Sequence, residues 1–139
     1  MKIVGISGEK ESGKTVVAHK FEEQGFFATS ILDQVKLVAE KSFNRKDLTK
    51  EDLECIRQIG YNVSKLYWIN LLLATSIPKD NKHVVIDDIQ PNDIVPVMKT
   101  YFVTKNLEVK GIKGAKILRN VTTLKEFEDI VERVAISEK

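Results

Sequence analysis

Eight residues near the amino terminus, Gly8-Glu9-Lys10-Glu11-Ser12-Gly13-Lys14-Thr15, constrain this chain more than any other segment. They match G-x-x-x-x-G-K-[ST] in full and stand in the context that pattern requires. Before them, Ile3-Val4-Gly5-Ile6-Ser7 reads as a short strand buried on both faces, hence parallel. After them, Val16, Val17 and Phe21 carry helical spacing up to Gln24, and Gly25 is placed to end that helix. The glycines permit backbone angles that a side chain forbids, so successive N–H groups can turn inward. The helix amino terminus behind them adds partial positive charge. Such a loop cradles phosphate. The segment is expected to be a P-loop, with Gly8, Glu9, Lys10, Glu11, Ser12, Gly13, Lys14, Thr15 and Val16 binding the nucleotide. Lys14 is expected to reach the β- and γ-phosphates, and Thr15 to offer its hydroxyl to Mg²⁺.

A second segment completes that chemistry. His83-Val84-Val85-Ile86-Asp87-Asp88 reads as a buried strand ending in two acids. An acid there can hold the hydration shell of Mg²⁺. In a strand Asp87 and Asp88 point to opposite faces, so one is expected to face the phosphates. Capping of the next helix is the competing role. A GTPase would need N-K-x-D, and Asn81-Lys82-His83-Val84 lacks the aspartate.

The rest of the chain alternates strands with helices. Phe26–Thr29 is a second strand candidate, followed by a helix from Ile31 to Phe43 with Leu32, Val35, Val38, Ala39 and Phe43 on one side. Thr49 and Asp52 form a capping pattern. The helix they open carries Leu53, Ile56, Ile59, Val63, Leu66, Tyr67, Leu71 and Ala74 and is expected to run to Ser76, bent near Gly60. Pro91 suits a helix start, and Pro96 predicts that this helix is short or irregular. Tyr101–Val103 and Ala115–Leu118 read as strands, and Thr123 opens a last helix with Leu124, Phe127, Ile130, Val131 and Val134 facing the core. The order predicts an α/β fold: one three-layer α/β/α domain over residues 1–139 with a mainly parallel five-stranded sheet.

Composition narrows the partners. The formal net charge is +2, and no basic block stands out, so neither a nucleic-acid nor a membrane partner is expected. No apolar run approaches a bilayer span and no signal-peptide pattern opens the sequence. The single cysteine, Cys55, excludes an internal disulfide and suits a reducing compartment, so a cytoplasmic protein is expected. Its helical setting predicts a small buried or half-buried residue rather than a nucleophile. His19 and His83 are expected to be structural.

Several segments in order resemble one family. Ser12-Gly13-Lys14-Thr15-Val16-Val17-Ala18, Gly25-Phe26, Ser30-Ile31-Leu32-Asp33-Gln34-Val35-Lys36, Arg57-Gln58-Ile59-Gly60 with Trp68, Val84 through Asp93, and Ile117 through Leu124 are similar to stretches of the P-loop nucleoside and deoxynucleoside monophosphate kinases. The phage-type deoxynucleoside monophosphate kinases resemble the chain most specifically, and dephospho-coenzyme A kinase more distantly. The resemblance implies an adenylate-kinase-like fold with a short lid. It implies ATP- and Mg²⁺-dependent phosphoryl transfer to a nucleoside or deoxynucleoside monophosphate. Small-molecule nucleotides are the partners it implies, and a homodimer stays open.

The resemblance also suggests roles. Asp33 would orient or deprotonate the acceptor oxygen, although Ser30 and Asp33 equally fit a capping box. Lys36 and Arg57 would bind the acceptor's phosphate, although a solvated helix face explains either. Arg119 and Asn120 end the last strand, where such kinases pack adenine, although Asn120 also suits a turn. Trp68, Tyr67 and Phe43 are expected in the core. Gln90 stands where the family has arginine, and Tyr61-Asn62 replaces a threonine-glutamate pair. Lys65 stands near another expected arginine. The stretch from Tyr101 to Gly114 offers Lys105, Lys110 and Lys113 where relatives carry lid arginines, and lysine lacks the planar fork of arginine. Two alternatives follow: a nucleotide-binding protein without catalysis, or a kinase for another small acceptor.

Overall fold

Five strands, all parallel, form one sheet in the order β2-β3-β1-β4-β5. They are β1 (Lys2–Gly8), β2 (Phe27–Ser30), β3 (His83–Asp87), β4 (Lys99–Thr104) and β5 (Ala115–Arg119). The helices are α1 (Lys14–Glu23), α2 (Ile31–Phe43), α3 (Lys50–Val63), α4 (Tyr67–Thr75) and α5 (Leu124–Ser137). The computed structural model describes residues 2–94, 98–109 and 111–139. Pro96 and Lys110 lie outside them.

The central strands are apolar on both faces because helices cover both. On one face Val4, Ile6, Val85, Tyr101 and Val103 pack with Val17 and Phe21 of α1 and Phe127, Val131 and Ala135 of α5. On the other, Val84 and Ile86 pack with Ile31, Val35 and Ala39 of α2, Ile56 of α3, and Trp68, Ile69 and Leu72 of α4. The result is a three-layer α/β/α fold, as the alternation of elements predicts. Among the described residues no helix is long and apolar enough to cross a membrane.

Several expectations need correction. The long helix is two helices, broken at Ser64-Lys65-Leu66 rather than bent at Gly60. Gly60 serves packing instead: a Cβ there would lie 2.6 Å from the Trp68 ring, whose Nε1 donates to the Arg57 carbonyl at 3.0 Å. The break turns α4 about so that Trp68 fills the core, leaving Ile59 and Val63 exposed on α3. Cys55 lies on the same exposed side of α3 and is itself exposed. Leu124, the first residue of α5, is also exposed. Phe43, the last residue of α2, is exposed as well. Pro91–Asp93 forms a single 3₁₀ turn, short and irregular as expected.

Candidate functional site

The carboxyl ends of β1 and β3 lie side by side at the centre of the sheet, with Gly5 in register with Ile86. In an open parallel sheet this is where ligands gather. Both segments singled out by the sequence end there.

The Gly8–Thr15 loop is built on left-handed backbone. Gly8 has φ +149°, Glu11 φ +61° and Gly13 φ +108°. At Gly8 a Cβ would meet the Val103 carbonyl at 2.4 Å, and at Gly13 it would meet Asn120 Nδ2 at 2.7 Å. Gly8 therefore demands glycine twice over, by angle and by a backbone carbonyl that cannot give way, and Gly13 demands it by angle. The loop is tied down from β4 and β5. The Glu9 carboxylate accepts from the Thr104 hydroxyl, and Asn120 Nδ2 donates to the Ser12 carbonyl at 2.9 Å. Lys14 Nζ donates to the Gly8 carbonyl at 3.1 Å, folding the cation over the loop. Ser12 Oγ is buried and has no hydrogen-bond partner among the described residues. Thr15 and Val16 open α1, with Thr15 exposed.

Asp87 and Asp88 diverge. Burial pushes the Asp87 carboxyl above its ordinary range, and the nearby charges of Asp88 and Asp33 push the same way. The Asp88 N–H and the Lys14 ammonium oppose this without overcoming it. Asp87 thus shares its surroundings with Lys14 and Asp33. Asp88 has φ +61° and turns the other way, toward α3.

There it meets Arg57, which is buried rather than solvated. Arg57 Nη1 donates to Asp88 Oδ2 at 2.6 Å, and Nη2 donates to the Asp88 carbonyl at 2.9 Å and to Asp93 Oδ2 at 3.1 Å. Its Nε donates to the Tyr61 hydroxyl at 3.0 Å, which itself reaches the Asp93 carboxylate at 2.9 Å. Burial pushes the Tyr61 hydroxyl up to about 12, and burial would lower the Arg57 guanidinium, but the hydrogen bonds from Tyr61 and Asp88 raise it. Asp93 is fully buried and also accepts from the Gln90 N–H, closing the 3₁₀ turn.

A cleft of about 660 Å³ opens beside this network between α2 and α3, lined by Leu32, Val35 and Leu53, by Lys36 and Lys50, by Glu51 and Glu54, and by Arg57, Asp88 and Gln90. Asp33 is exposed next to it, and its N–H is within 3.5 Å of Ser30 Oγ, the capping contact that its spacing suggested. Arg119 does not face the loop: its guanidinium donates to the carbonyls of Asn106 and Val109, holding the β4–β5 connection. Asn120 does reach the loop, through Ser12.

Lys14, Thr15, Asp33 and Asp87 therefore gather at one end of the sheet, with Asn120 beneath the loop. Asp93 and Tyr61 are the residues that the sequence did not flag. They stand 36 and 4 residues from Arg57, and no local pattern joins α3 to the turn after β3. A glycine loop in left-handed backbone, a lysine folded over it and the Asp87 carboxyl near that lysine are groups that could hold phosphate and a hard cation. Neither family models nor curated proteins match the chain.

Proposed function

We propose that the protein is a P-loop phosphotransferase that moves the γ-phosphoryl group of ATP to a nucleoside or deoxynucleoside monophosphate. One observation supports this reading: a glycine-built loop lies under Lys14 at the carboxyl end of β1, and a separate cleft between α2 and α3 is lined by apolar side chains and by equal numbers of cationic and acidic ones. Two substrates need two such sites at one strand edge.

In this reading the backbone N–H groups of Gly8–Thr15 and the Lys14 ammonium bind the β- and γ-phosphates. Mg²⁺, held by the Thr15 hydroxyl and Asp87, would neutralise charge on those oxygens. Asp33 orients the acceptor, whose phosphate oxygen attacks the γ-phosphorus while the bond to the β–γ bridging oxygen breaks and ADP leaves. Leu32, Val35 and Leu53 receive the acceptor's base or sugar, and Lys36 its phosphate. Positioning and charge neutralisation supply most of such catalysis.

A coupled assay for ADP over the common monophosphates tests the reading. Turnover with at least one is expected, and none with any, from protein that binds ADP, overturns it. A second reading has its own support, because Arg57 and Arg119 are both engaged within the protein. On it the chain binds ATP by calorimetry and yields no ADP with any monophosphate in the coupled assay, and that absence of turnover separates the two.

A further inference from the structure

The cleft-facing edge of Arg57 already carries a carboxylate. Asp88 and Arg57 both line the cleft, whereas Asp93 and Tyr61 approach the guanidinium from the protein side. Asp88 remains 29% exposed at its side chain, and the Arg57 side chain only 4%. The left-handed backbone at Asp88, a conformation in which aspartate is enriched, folds the carboxylate back onto Nη1. The lining cations, Lys36, Lys50 and Arg57, are matched by Glu51, Glu54 and Asp88. The cleft as it stands has no charge surplus for a dianion. It gains one if Asp88 lets go.

We propose that Asp88 is an internal competitor for the acceptor's phosphate, which binds by replacing the Asp88 carboxylate on Arg57. Asp88 is then the residue that sets how tightly the cleft holds an anionic acceptor. This rests on the cleft being the acceptor site. Arg57 is suited to the exchange, because a guanidinium grips carboxylate and phosphate oxygens with the same fork. Asp93 and Tyr61 keep it aimed while its front partner changes.

Two variants remove the competitor and keep the backbone: Asp88→Asn, since asparagine also tolerates positive φ, and Asp88→Gly, which favours it. Each is titrated calorimetrically with nucleoside and deoxynucleoside 5′-monophosphates, and separately with ADP. Monophosphate binding should tighten about tenfold, the scale of one charge-assisted hydrogen bond, while ADP binding moves less than about twofold. A merely structural Asp88 could lower the melting temperature but would not tighten binding. Unchanged or weaker monophosphate binding in variants that still bind ADP overturns the proposal. If wild type and variants bind ADP but no monophosphate, the acceptor reading itself fails and takes the proposal with it. The wild-type protein gives an answer even if both variants misfold. The Arg57 Nε–H resonance should shift as the tightest monophosphate is added, and a resonance that stays fixed while the ligand binds also overturns it.

Discussion

The two ends of the sheet each hold a carboxyl, half-buried Asp87 at one and buried Glu138 at the other, and the two are treated in opposite ways. At the carboxyl end, Asp87 sits among Asp33, Asp88 and Lys14 and is held above its ordinary range, first by burial. At the amino end, burial would raise Glu138, but Lys99 and Tyr101 more than offset it. Lys99 Nζ donates to Glu138 Oε1 at 2.5 Å, the Tyr101 hydroxyl donates at 2.8 Å, and Lys2 lies 3.5 Å from the other oxygen. Glu138 ends up below its ordinary range. It has its cations already and fastens the end of α5 to β1 and β4. Asp87 lacks a full set. An acid whose charge the protein leaves under-neutralised is a place for an incoming cation, and perturbed acids cluster at functional sites for this reason.

The strongest test of that contrast is at Arg57, a cation at the carboxyl end that the protein's own carboxylates already hold. Arg57→Met leaves Asp93 buried with only Tyr61 and the Gln90 N–H beside it. Removing one partner of a buried pair costs about 3–5 kcal/mol, which denaturant unfolding would register. A loss below about 1 kcal/mol would mean that the network is loose. Next, Lys14→Ala should weaken ADP binding about 100-fold by calorimetry, as loss of a charge aimed at phosphate does in a preorganised site. Its effect on stability should be small, since among the described residues Lys14 hydrogen-bonds only the Gly8 carbonyl. Equal losses in binding and stability would break the distinction between a functional and a structural cation.

How much of this the sequence disclosed follows from the range of each interaction. The loop, the strand carrying Asp87 and the capping residues Ser30, Thr49 and Thr123 are local patterns, and each appears where its spacing places it. The break after Val63 was hidden because the apolar period continues across it. It becomes visible only when the Trp68 ring is seen against Gly60. The exposure of Ile59 and Val63 follows from the same break. The roles of Asp88 and Asp93 depend on contacts with Arg57 more than thirty residues apart, and Tyr61, four residues along α3 from Arg57, joins them through Asp93, a link that no periodicity records. Glu138 was silent in the same way, because its partners lie on β1 and β4.

The smaller effects carry opposite signs, and that makes them the sharpest comparison. Glu138→Gln keeps an acceptor oxygen but removes the charge that strengthens two short hydrogen bonds, and should destabilise the protein by about 1–3 kcal/mol at neutral pH. Because the folded-state carboxyl titrates below its ordinary value, its contribution is complete above that value. It fades as pH falls through the folded one, so the gap between wild type and Glu138→Gln should close in acid. Asp87→Asn should do the reverse. A carboxyl raised in the folded state stabilises at low pH and loses that contribution as pH rises through its folded value, so the neutral amide should melt about 2 °C higher at pH 7. That advantage should vanish in acid, where Asp87 is protonated in both states. Thermal melts of the three proteins from pH 3 to pH 8 decide the matter. If Asp87→Asn melts lower than wild type at pH 7, Asp87 is a structural partner like Glu138, and the two ends of the sheet are alike after all.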